Sequence, residues 1–90
     1  MKKLYVTIEV WQKGNLYLAS SPELDFISQG NTFEEAKKNL LEVIKIQFEE
    51  MTELGTLKDY LEECGYEKKD NFFVANNEMV AMEKHSLQVA

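Results

Sequence analysis

The residue types that do chemistry are thinly supplied in this chain. His85 is its one histidine and Cys64 its one cysteine, so a catalytic histidine pair must use His85 or do without. Cys64 ends an apolar helical pattern made with Leu57, Tyr60 and Leu61, and no nucleophile motif surrounds it. It reads as a small buried hydrophobe. His85 follows Glu83 and Lys84 in a polar stretch and reads as a surface side chain. Glu34-Glu35, Glu49-Glu50 and Glu62-Glu63 are adjacent acids. On a helix such neighbours point about 100° apart, so they do not face each other as a glycosidase dyad must. They read as solvated faces. Neither an Asp-rich loop nor a pair of spaced histidines predicts a metal centre. Gly30 lacks the companion glycines of a phosphate-binding loop. The expectation is a chain with no catalytic residue, no metal ligand set and no cofactor: a binding protein, not an enzyme.

Charge narrows the kind of partner. Sixteen acidic against ten basic residues give a net charge of −6, which argues against direct contact with nucleic acid and permits a basic protein. The basic residues pair only as Lys2-Lys3, Lys37-Lys38 and Lys68-Lys69, so they form no basic stripe. A lone cysteine excludes an internal disulfide. No apolar run approaches the roughly 20 residues of a membrane span, and the Met1-Lys2-Lys3 start lacks the apolar core of a secretory leader. A cytoplasmic protein away from the membrane is expected. Ninety residues, 44% of them hydrophobic, predict one folded domain, residues 1–90.

Residues 3–11 alternate with period two and predict a strand, with Leu4, Val6, Ile8 and Val10 on one face and Tyr5, Thr7, Glu9 and Trp11 on the other. Gly14 supplies a turn, and residues 16–20 return as the second strand of a hairpin. Pro22 interrupts the pairing. Phe26-Ile27-Ser28-Gln29 predicts a short third strand ended by Gly30-Asn31. Thr32-Phe33-Glu34-Glu35 is a capping box, with Glu35 expected to reach back to the Thr32 N–H. The helix it opens, about 33–54, carries Phe33, Ala36, Leu40, Val43, Ile44, Phe48 and Met51 as its apolar stripe, with Leu41 and Ile46 off it. Gly55 closes it. Thr56 opens a shorter helix, about 57–64. Residues 66–71 read as a charged loop, and 66–90 as a C-terminal extension holding a hairpin of 72–75 with 79–82 and a last strand at 86–90. The fold class is α+β: an antiparallel sheet of three or four strands, the main helix packed on one face, and the short second helix beside it.

The hairpin, the Pro22-Glu23-Leu24 link and the entry Gly30-Asn31-Thr32-Phe33-Glu34-Glu35-Ala36 together resemble the HicB antitoxin family, whose members share a strand–turn–strand opening, a Pro-Asp/Glu-Leu link and a Gly-x-Thr-x-x-Glu-Ala helix start. The resemblance covers roughly residues 4–48. It implies a three-stranded sheet backed by one helix, a degraded ribonuclease-H-like fold without catalytic residues. By the same resemblance the chain neutralises a small basic HicA-type mRNA interferase by covering its active surface. Phe26-Ile27 stands where the family usually has Gly-Cys or Gly-Val. A bulky Phe26 does not take a positive φ cheaply, so a different local turn is expected. Residues 66–90 are too short and too little basic for the helix-turn-helix found in family members, and direct DNA binding is not expected. The partner-binding candidates are the exposed acids and strand aromatic Glu9, Trp11, Glu23 and Asp25, with packing at a sheet end as the competing role for Trp11. The alternative reading is a standalone structural or regulatory homo-oligomer, dimer or higher, that uses its sheet edges and the off-stripe Leu41 and Ile46.

Overall fold

The computed structural model describes residues 3–90; Met1 and Lys2 of the start discussed above lie outside them. The expected α+β class is present, as two helices and six strands arranged in two three-stranded sheets. Strands β2 (Glu9–Lys13), β3 (Leu16–Ser21) and β4 (Phe26–Gly30) form an antiparallel sheet in that order. Lys13 pairs with Leu16 across a two-residue loop in which Gly14 takes a φ of 63°. Glycine suits that backbone because it has no Cβ to clash.

The predicted strand 3–11 is two strands. Its first residues, β1 (Lys3–Leu4), leave this sheet and pair in parallel with β6 (Phe72–Ala75), which pairs antiparallel with β5 (Tyr66–Lys69). The alternation nevertheless holds across the break. Leu4, Val6, Ile8 and Val10 are all half-buried against the core, because period two reports which face is apolar and not which strand is the neighbour.

Helix α1 (Phe33–Leu54) starts where the capping box puts it. Thr32 Oγ1 accepts the Glu35 N–H at 3.0 Å, and the Glu35 carboxylate accepts the Asn31 N–H at 3.1 Å. The return bond therefore lands one residue earlier than expected. Gly55, with φ 72°, ends α1, and the N–H groups of Gly55 and Thr56 close onto Thr52 and Met51 carbonyls, the pairing that satisfies a helix's last acceptors. Helix α2 (Leu57–Glu63) follows at once. Of the predicted stripe, Ala36, Leu40 and Ile44 are buried and Val43, Phe48 and Met51 half-buried. Phe33 instead stands exposed at the helix start, with Lys37 Nζ 5.1 Å from its ring centroid.

Helix α1 packs along β4 and β3. The core is Ala19, Leu24, Ala36, Leu40, Ile44, Leu61 and Tyr66. Residues 66–69, expected as loop, form β5, and the hairpin turns at Asp70-Asn71 with Asp70 at φ 48°. Three of the four β5 side chains face solvent, which gives a strand the composition of a loop. The expected pairing of 72–75 with 79–82 and the expected strand 86–90 do not form. Residues 76–90 have no regular secondary structure, and β6 takes β5 and β1 as its neighbours instead.

Candidate functional site

The register of the β2–β3–β4 sheet decides which candidates share a surface. Val10, Ala19 and Ser28 align across the strands on the helix side, and Ala19 is completely buried there. The opposite face, which no helix covers, carries Glu9, Ser20 and Ile27 in one row and Trp11, Leu18 and Gln29 in the next. Trp11 is 58% and Ile27 66% exposed. The Trp11 indole N–H donates to Glu9 Oε2 at 3.4 Å, which leans the acid against the aromatic. The face thus carries Trp11 and Ile27 on its two outer strands, Leu18 and Ser20 of β3 between them, and the Glu9 carboxylate beside the indole. Ile27 was missed as a candidate, yet strand alternation signals it, since Ile27 must oppose Phe26. Phe26 turns inward and stacks on Tyr60, ring centroids 6.0 Å apart.

Glu23 and Asp25 do not join this face. The Glu23 carboxylate accepts the Thr7 N–H with both oxygens, at 2.9 and 3.1 Å. Thr7 lies in the segment that carries the chain from one sheet to the other, where no ladder partner exists for its N–H, so Glu23 replaces the missing strand. Asp25 occupies the turn after Pro22, where the N–H groups of Leu24 and Asp25 both reach the Ser21 carbonyl. Asp25 has a φ of 60°, so the left-handed residue of this link is an aspartate placed just before Phe26. Asp tolerates that backbone better than a bulky side chain does. Phe26 itself begins β4 with no positive φ, so the turn is made one residue earlier.

Two tyrosines complete the joint between the sheets. Tyr66 Oη donates to the Tyr5 carbonyl at 2.9 Å, and Tyr60 Oη donates to the Leu24 carbonyl at 2.6 Å. Burial is the first cause that pushes both phenols up to about 12; the Cys64 contact adds for Tyr60 and the Glu23 charge for Tyr66. An acid whose pKa rises on folding favours the native state while protonated. Its contribution is complete below about pH 10 and is lost as the pH climbs toward 12. Urea midpoints followed by circular dichroism should stay level to about pH 9 and fall steeply above pH 10. Tyr66→Phe should flatten that fall and cost about 1 kcal/mol at neutral pH, because the Tyr5 carbonyl loses its donor.

The remaining chemical groups stay apart. His85 is exposed, with Nε2 3.5 Å from Glu83 Oε1. Cys64 is half-buried against the core. All six members of the adjacent acid pairs are exposed. Among the described residues no group of three or more His, Cys, Asp or Glu side chains is placed to hold a metal ion, and no helix is long and apolar enough to cross a membrane. Comparison of the chain with protein-family models, with curated proteins and with solved structures finds no match in any of the three.

Proposed function

We propose that the chain is a non-catalytic, HicB-like antitoxin-type protein, acting in the cytoplasm, that neutralises a small basic toxin-type ribonuclease by covering its active surface. The helix-free face of β2–β3–β4 is the covering surface. The observation that supports this reading is the placement of Trp11 and Ile27, both largely exposed, on the two outer strands of one helix-free face, with Leu18 of β3 between them and Glu9 beside the indole. Aromatic anchors on preorganised elements dominate protein interfaces, and a net charge of −6 steers a basic partner toward an acidic one. Glu9 and Trp11 act directly in this reading. Glu23 and Asp25 act indirectly, by holding the joint and the turn that fix β4 beside β3.

The proposal requires a small basic protein encoded beside this gene, and Trp11→Ala should weaken binding to it by about 30-fold, or roughly 2 kcal/mol. Most of the loss should lie in the off-rate, and the circular dichroism of the free chain should not change. Glu9→Gln should slow association and reduce its salt dependence. Unchanged binding by a Trp11→Ala/Ile27→Asp double variant would place the interface elsewhere.

A further inference from the structure

On the other side of the molecule, a groove of about 1200 Å³ runs between α1 and α2, with Leu41, Ile44, Phe48, Leu57 and Leu61 among its lining residues. The same chain carries an apolar segment that is largely uncovered beyond Met79. In residues 76–90, which lack regular structure, Met79 is 46%, Val80 90%, Met82 65%, Leu87 82% and Val89 95% exposed. We propose that these two features satisfy each other between molecules: the 79–89 segment of one copy docks in the α1–α2 groove of a second copy, and the exchange is reciprocal. The inference does not depend on the ribonuclease reading, because it leaves the helix-free sheet face open.

Three observations favour a second copy as the occupant. The first is direction. Phe73 lines the groove, but the chain then leaves it: Asn77 and Met79 border smaller clefts with Pro22, Glu23 and Cys64, none of which lines the groove. The second is shape. The radius of gyration is 15.6 Å and the long axis 51 Å, whereas a compact chain of this length has a radius near 12 Å, roughly. The terminal segment is carried outward. The third is fit. Extended chain rises about 3.3 Å per residue, so residues 79–89 span roughly 33 Å. The α1 border from Leu41 to Glu53 spans about 18 Å at helical rise. The segment is long enough to fill the groove, whose border carries Lys45 and Lys58 balanced by Glu49 and Glu53 around an apolar floor. Because each chain has one groove and one segment, a two-fold exchange leaves neither unpaired.

Sedimentation equilibrium of the full chain tests this directly. The expected mass is that of a dimer, twice the 10.5 kDa chain. Val80→Asp/Leu87→Asp changes only exposed positions, so the monomer should keep its circular dichroism while self-association weakens by about 100-fold or more. Leu41→Asp, at a half-exposed groove position, should do the same. Mixing the two variants should restore a heterodimer, through the one intact segment and the one intact groove. A wild-type monomer, as when the segment folds onto its own groove or serves another protein, would overturn the proposal. So would a dimer that persists with both segment charges in place, since it would be built on another face.

Discussion

Replacing Leu40 by alanine should cost about 4 kcal/mol of folding stability, near the upper part of the range for a buried leucine. Leu40 is completely buried on the inner face of α1, in one cluster with Ala19, Leu24, Ala36, Ile44 and Leu61. The removed methyl groups leave a cavity that a sheet on one side and a second helix on the other have little freedom to close. A chain of this size commonly has only about 5–10 kcal/mol in total, so the thermal midpoint should drop by roughly 20 °C. Ile46 is the control on the same helix. It is off the stripe and 59% exposed, and Ile46→Ala should stay within about 0.5 kcal/mol of the parent. Calorimetry of the two variants separates them. Similar losses for both would mean that α1 is not seated on its Ala36–Leu40–Ile44 face.

Gly30→Ala should be the next most damaging exchange, by about 3 kcal/mol. Gly30 pairs with Tyr17 at the end of β4, and its backbone is not in the left-handed region that Gly14, Gly55 and Gly65 occupy. The reason for glycine here is space. A Cβ at position 30 would meet the Ala36 nitrogen at 2.5 Å, the Glu35 carbonyl carbon at 2.8 Å and the Glu35 Cβ at 2.9 Å. These are mostly backbone atoms of the first turn of α1, so relief requires moving the helix start and with it the Thr32 cap. Gly14→Ala meets no atom within 4 Å but must hold a φ of 63°, which costs about 1–2 kcal/mol. Urea unfolding should therefore rank Gly30→Ala well below Gly14→Ala. The reverse order would show that the helix can slide away from β4.

The glycine at position 30 illustrates what is legible without coordinates. It reads in the sequence only as the end of a strand, and the closeness of the first turn of α1 needs coordinates, whereas the capping box and Gly55 bracket α1 because caps are local chemistry. The β2–β3 hairpin is equally local, set by alternation and Gly14. Partners across longer separations are not legible. Leu4, Val6, Ile8 and Val10 keep one unbroken alternation while the chain passes between two sheets, since either sheet offers the same apolar side. Tyr66-Glu67-Lys68-Lys69 buries one side chain of four, so its strand character comes from pairing with β6 and not from composition. Met79–Met82 reads as a strand although Met and Ala suit helices as well, and among the described residues it has no ladder partner. For the candidate surface, Glu9 and Trp11 could be named from the outer side of a strand. Glu23 could not be recognised as the acceptor for Thr7, because that role exists only where the chain changes sheets.

The most direct test of the proposed function is suppression of ribonuclease activity. The account requires a small basic protein encoded beside this gene, which would be assayed on RNA, alone and with an equimolar amount of the chain. The account predicts cleavage by the basic protein, its loss when the native chain is added, and its return when Trp11→Ala/Ile27→Asp is added instead. Cleavage that continues beside the native chain, or that the double variant suppresses equally well, would contradict it.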